Sequence, residues 1–129
     1  MEKVTGCPPS SFSPQKRTGF RIVFDQADIV GNFTPVVIRD PHRFKVTDTK
    51  YCDGCGLSFF DSEVNAENLF RRLQETIPMI HLKLGNSIAK VEITPAHGVL
   101  CAPDKKTGHF TVHEYCLAMW EWIIIKKLE

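Results

Sequence analysis

The sequence carries almost no net charge, because 16 Lys and Arg residues nearly balance 15 Asp and Glu residues. The remaining +1 at pH 7 provides no basic field that would attract nucleic acid or an anionic membrane surface. The chain also lacks an apolar run as long as a signal peptide or a membrane span requires. We therefore expect a soluble, cytoplasmic protein with neither nucleic acid nor membrane as its partner.

Several motifs with known chemistry are also missing. No glycine-rich phosphate loop is present, which argues against a P-loop or Rossmann nucleotide domain. Gly56-Leu57-Ser58 lacks the second glycine of a nucleophile elbow, so no local signature indicates a nucleophilic triad. The five cysteines cannot all pair within one chain, and this odd count fits a reducing compartment better than a secreted disulfide scaffold.

The composition is that of one globular domain: 129 residues, of which 43% are hydrophobic, can form a core of normal size. Residues 1–18 contain three prolines and are interpreted as a flexible N-terminal arm. We place a single domain at 19–127. Residues 128–129 are interpreted as vector-derived, with no part in the fold.

Hydrophobic periodicity predicts an α+β domain with a twisted, mostly antiparallel sheet of about five to six strands. Asp61-Ser62 is a helix N-cap, and the apolar residues that follow recur at helical spacing until Pro78, which predicts a central amphipathic helix. The run 115–127 fits either a helix or a strand. We favour a C-terminal helix because of its length, although three consecutive isoleucines lower helix propensity. Strands are predicted at 20–24, 34–38, 57–60, 87–93, 99–101 and 109–112.

Cys52 and Cys55 have the spacing of a zinc knuckle, in which two thiolates supply half of a tetrahedral site. The other ligands would come from His97 with Cys101, from His109 with His113, or from Cys116. Zinc is therefore one candidate cofactor. The alternative is a pair of ordinary reduced thiols in a loop.

In the C-terminal third, His109 and His113 are separated by four positions, with Thr111 midway between them. On a strand, His109 and His113 would point to the same face, where paired imidazoles could bind phosphate or act as acid and base. The alternative is that both are solvated surface residues. The sequence leaves open whether the chain is an enzyme.

The order of these pieces resembles known domains. An early strand holds Arg21, the motif Gly-Leu-Ser-Phe-Phe-Asp at 56–61 runs into a helix, and Gly-His-Phe-Thr follows at 108–111. This pattern resembles short bacterial domains with a Gly-Leu-Ser-aromatic strand, and more loosely it is similar to ADP-ribosyltransferase-like folds. The resemblance implies binding of nicotinamide dinucleotide (NAD).

By position, the resemblance implies roles for individual residues. Arg21 would contact the dinucleotide phosphates, Ser58 or Tyr51 the nicotinamide ribose, and Glu114 would stabilise an oxocarbenium-like transition state. His113-Glu114 departs from the Glu-x-Glu or Gln-x-Glu pair of those enzymes. A nucleotide-binding domain without catalysis is therefore also open.

The C-terminal run is richer in large apolar residues than one helix face can bury. Such a surplus is typical of a partner surface, so a protein-interaction or assembly domain, including a homodimer, is the main alternative function. A helix in a groove of the sheet would bury the same residues. The residues concerned are Trp120, Trp122, Ile123, Ile124 and Ile125.

Overall fold

The protein, seen in a computed structural model that describes residues 10–25, 30–33, 56–114 and 120–128, is built on one antiparallel sheet. Within these residues, two helices and a 3-10 turn accompany six strands, which confirms the predicted α+β fold. The strands are β1 (Arg17–Val23), β2 (Leu57–Phe60), β3 (Ser87–Ile93), β4 (Gly98–Leu100), β5 (His109–Glu114) and β6 (Trp122–Lys127). The helices are α1 (Glu63–Thr76) and α2 (Ile80–Lys83), and the 3-10 turn is Val30–Phe33. The strand order across the sheet is β4-β5-β2-β1-β3-β6.

Helix α1 begins and ends where its local sequence predicts. The Ser62 side chain accepts a hydrogen bond from the Asn65 backbone N–H at 3.1 Å, so it caps the first turn. The buried residues Ala66 and Phe70 pack against the sheet with Ile22, Phe60 and Ile88. We call this side of the sheet the helix face. Neither helix of the described ranges is both long and apolar enough to cross a membrane.

The opposite side of the sheet carries a second core that is rich in aromatic rings. Phe59 and Phe110 are fully buried there and stack with ring centroids 5.8 Å apart. Phe33, from the 3-10 turn, and Trp120, which precedes β6, pack against them. We call this side the aromatic face. The sheet therefore packs against a core on both of its sides.

The C-terminal run forms strand β6, so the predicted C-terminal helix is wrong. β6 pairs with β3 from Ser87 to Val91, with a register shift between Ile88 and Ala89 that gives Ile125 no aligned residue on β3. The β-branched isoleucines of β6 suit an extended backbone better than a helix. Leu128, which we expected to take no part in the fold, is 4% exposed and packs in the helix-face core. Residues 115–119 and the strand predicted at 34–38 lie outside the described residues.

The two ends of the sheet differ in how their outer strands are covered. At one end, Ser13 pairs with Leu100 of β4 through two backbone hydrogen bonds, of 3.1 and 2.9 Å. The Arg17 guanidinium adds a bond to the Cys101 carbonyl at 2.7 Å. Residues before the predicted domain start near Gly19 therefore contact this edge. At the other end, β6 has β3 on one side and no strand of the described ranges on the other.

Candidate functional site

The sheet opens between β1 and β2, the two strands at its centre. These strands share one aligned residue pair, Phe20 with Phe60, whereas β1 and β3 are paired over the whole of β1. Arg21 bridges the opening. Its Nη1 donates to the Ser58 carbonyl at 2.7 Å, and its Nε donates to the Asn32 carbonyl at 2.7 Å. A side chain therefore supplies the hydrogen bond that a neighbouring strand would normally make.

Asn32 fixes the 3-10 turn against the end of β1. Its side chain is buried, its Oδ1 accepts from the Phe24 N–H at 2.8 Å, and its Nδ2 donates to the Phe24 carbonyl at 3.0 Å. This brings Phe33 onto the aromatic face, with the Arg21 guanidinium 5.9 Å from its ring centroid. Sequence analysis missed Asn32, because an asparagine after a glycine indicates only a turn.

Trp120 is held between two rings at the start of β6. The ring of His97 stacks on it with centroids 4.4 Å apart, and Phe33 stacks on it at 5.3 Å. Its indole Nε1 donates to Glu114 Oε2 at 3.0 Å. Trp120 therefore connects three separate parts of the chain on the aromatic face and fixes the point where β6 begins.

Burial raises the pKa of Glu114 above its ordinary value. The hydrogen bond from Trp120 and the positive charge of Arg21 act in the opposite direction but do not cancel the effect of burial. Arg21 and Glu114 are thus close enough to interact electrostatically on the aromatic face.

The raised pKa of Glu114 predicts a pH-dependent stability. The folded protein retains this proton to a higher pH than the unfolded chain does, so stability falls as the pH rises through that interval. Glu114→Gln keeps an acceptor for Trp120 and cannot ionise. We expect a higher melting temperature than wild type at about pH 7 and no difference at about pH 4. Thermal unfolding at both values measures this, and an equal offset at both would contradict the assignment.

A hydroxyl and an imidazole meet on the other side of the sheet. Ser58 of β2 has an exposed side chain, and its Oγ lies 3.1 Å from Nε2 of His109 on β5. The rings of His109 and Phe60 make a T-shaped contact, with centroids 5.5 Å apart. Burial lowers the pKa of His109, with the charge of Asp104 opposing, so the imidazole is neutral at pH 7.

The site residues that the resemblance implied lie on two opposite faces of the sheet. Because side chains alternate along a strand, Arg21 and Glu114 lie on the aromatic face, whereas the Ser58 side chain lies on the helix face. Ser58 contributes its carbonyl oxygen to Arg21 and its hydroxyl to His109. His109 and His113 point to one side of β5, as their spacing predicts, but His113 is 8% exposed and its ring contacts Phe12.

The predicted zinc ligands are only partly described. Tyr51, Cys52 and Cys55 lie outside the described residues. His97 Nδ1 accepts from the Thr94 N–H at 2.9 Å, and the free thiol Cys101 accepts from the Thr111 N–H at 3.4 Å. Within the described ranges, no three His, Cys, Asp or Glu residues form a metal-binding group. Zinc at Cys52 and Cys55 stays a prediction.

The outer edge of β6 exposes apolar side chains. Ile123 is 62% exposed and Ile125 is 36% exposed. A shallow groove of about 560 Å³ runs beside them, lined by Asp25, Trp120, Glu121, Trp122, Ile123 and Ile124. Strand edges with exposed apolar residues are sites of pairing with another chain, and natural proteins that avoid pairing protect them.

Comparison with protein-family models, curated proteins and solved structures finds no match to this chain. The resemblance to ADP-ribosyltransferase-like folds therefore stays a prediction, and function has to be argued from the geometry.

Proposed function

We propose that this protein is an interaction domain that assembles with a second copy of itself through the outer edge of β6. The observation that carries the proposal is an apolar edge strand that contrasts with the opposite end of the sheet. There Ser13 pairs with Leu100 of β4, whereas the described residues supply no such partner to β6. An edge strand of this kind presents backbone N–H and C=O groups to a partner.

The sequence of β6 favours a second copy as that partner. Glu121 precedes the strand, Lys126 and Lys127 end it, and isoleucines fill its centre. Two copies related by a twofold axis pair antiparallel. With the axis at Ile124, Glu121 of one copy lies opposite Lys127 of the other, and Ile123 lies opposite Ile125. Opposite charges therefore meet at the two ends of the pair and isoleucines meet at its centre, while Trp122 lies opposite Lys126.

Lys127 retains the freedom that this pairing needs. Its side chain is 70% exposed, and its ion pair with Asp25 is long, at 3.5 Å. Lys126 instead reaches back to the helix face, where its Nζ donates to Glu67 Oε1 at 2.5 Å. The outward lysine is thus the one that the twofold arrangement sets against Glu121.

Sedimentation velocity over a wide range of protein concentrations tests the proposal. We expect a monomer–dimer equilibrium, with the dimer fraction increasing with concentration. A chain that stays monomeric over the whole range would contradict assembly with a second copy. The exposed edge of β6 would then be proposed to bind a different protein.

Dinucleotide binding is a second candidate, and one observation favours it: Arg21 and Glu114 share the aromatic face and interact electrostatically. Native mass spectrometry with added NAD tests it, with Glu114→Gln as the variant. We expect an NAD adduct that the variant weakens. No adduct, or an adduct that the variant leaves unchanged, would remove this candidate. The same spectra, recorded without chelator, test for zinc, with Cys52→Ser as the control.

A further inference from the structure

We propose that the Ser58 hydroxyl is a nucleophile activated by His109, and that it accepts acyl groups from activated esters. This activity is independent of assembly through β6 and uses the other side of the sheet from Arg21 and Glu114. The hydroxyl and the imidazole come from β2 and β5, which pair in register along all of β2.

The distance between the two groups is that of a nucleophile and its base. Ser58 Oγ and His109 Nε2 lie 3.1 Å apart, within the range at which an imidazole takes a proton from a hydroxyl. A neutral ring is required for this step, and burial keeps His109 neutral at pH 7 by lowering its pKa. In the neutral tautomer that carries its proton on Nδ1, the lone pair of Nε2 accepts the hydroxyl proton.

His109 is held in place by the hairpin that precedes it. The Asp104 N–H donates to the His109 carbonyl at 2.8 Å, and the His109 N–H donates to Thr107 Oγ1 at 3.3 Å. Asp104 also accepts from the backbone of Thr107 at 2.9 Å, which closes the turn. These bonds fix the backbone of His109, and its ring contacts Phe60 and Ser58 Oγ.

The hydroxyl is accessible to an ester, because the Ser58 side chain is exposed. His113 lies on the same face of β5 as His109 and is 8% exposed. The two strand histidines thus differ: His109 faces an exposed hydroxyl, and His113 is enclosed. This difference makes His109 the base.

The reaction balances without a cofactor. Ser58 Oγ attacks the ester carbonyl carbon while His109 Nε2 takes the hydroxyl proton. The bond to the leaving alcohol then breaks, and His109 returns the proton to it, leaving an acyl-serine. Water then attacks the acyl carbon while His109 takes one of its protons. The bond from this carbon to Ser58 Oγ breaks, His109 returns the proton to Oγ, and a carboxylic acid leaves.

Incubation with p-nitrophenyl acetate tests the proposal. We expect release of p-nitrophenolate and a single acetyl group that peptide mass analysis locates on Ser58. Ser58→Ala should abolish both, and Ser58→Cys should retain acyl transfer through a thiol. His109→Gln should slow acetylation roughly 100-fold. The wild-type rate should fall at acidic pH as His109 becomes protonated.

His81→Gln is the matched control, because His81 is an exposed histidine on α2, outside strands β2 and β5. It should leave the rate unchanged. Circular dichroism confirms that each variant is folded. Acetylation that persists in Ser58→Ala, or a rate that His109→Gln does not lower, would overturn the proposal. A monomeric protein with unchanged acetylation would overturn assembly through β6 alone.

Discussion

Phe59→Ala is expected to reduce the free energy of unfolding by about 3–5 kcal/mol. Phe59 is fully buried at the centre of the aromatic face, where it stacks on Phe110 and lies 5.7 Å from the ring of Trp120. Its truncation removes these contacts and leaves a cavity between two rings. Since a domain has a total stability of about 5–15 kcal/mol, this loss is a large fraction of the free energy of unfolding. Urea denaturation measures the loss.

Phe59→Leu is the control, because leucine retains most of the apolar volume. It should cost clearly less than Phe59→Ala, and the difference reports the cavity. Equal losses for both variants would show that the ring contacts, rather than the volume, stabilise this core. A loss below about 1 kcal/mol in Phe59→Ala would contradict the position of Phe59 in the core.

Ile123→Lys is expected to abolish the dimer while the monomer stays folded. Ile123 is 62% exposed in the monomer, so its replacement costs little stability there. In the paired state it would lie opposite Ile125 of the second copy, and a lysine at that position would have to lose its hydration against an apolar side chain. Lysine on an edge strand is also the residue that natural proteins use to prevent pairing. Sedimentation velocity measures the change.

Leu82→Lys provides a matched comparison for this variant. Leu82 lies on α2 and is 60% exposed, so the substitution adds the same charge at the same exposure away from β6. We expect its dimer fraction to equal that of wild type. If both variants lose the dimer equally, net charge and not β6 controls assembly. If neither does, β6 is not the interface.

The elements that the sequence predicted well are those whose signals are local. Ser62 and Pro78 mark the ends of α1, and the apolar spacing between them specifies which side is buried. The run 115–127 was ambiguous because its structure depends on a distant strand and not on a local signal. Its isoleucines form a strand because β3 pairs with them through backbone hydrogen bonds. The paired residues of β3 lie more than 30 positions earlier in the chain.

The candidate site depended even more on pairing that no local signal encodes. The types of residue at Arg21, Ser58, His109 and Glu114 were recognised as chemically active, but their grouping was not. Which of them meet depends on strand order and register, since moving a strand by one residue exchanges its two faces. The register of β2 with β5 brings Ser58 to His109, and the opening beside β1 brings Arg21 to the Ser58 carbonyl.

A charge-exchange experiment tests assembly through β6 most directly. In the proposed twofold pair, Glu121→Lys sets lysine against lysine in its own dimer, and Lys127→Glu sets glutamate against glutamate. Mixing the two variants restores both ion pairs. We expect native mass spectrometry of an equimolar mixture, with one variant isotope-labelled, to show the mixed dimer well above the half share of all dimers that random pairing would give. A statistical distribution of dimers, or monomers alone, would contradict the pairing of β6 with a second copy.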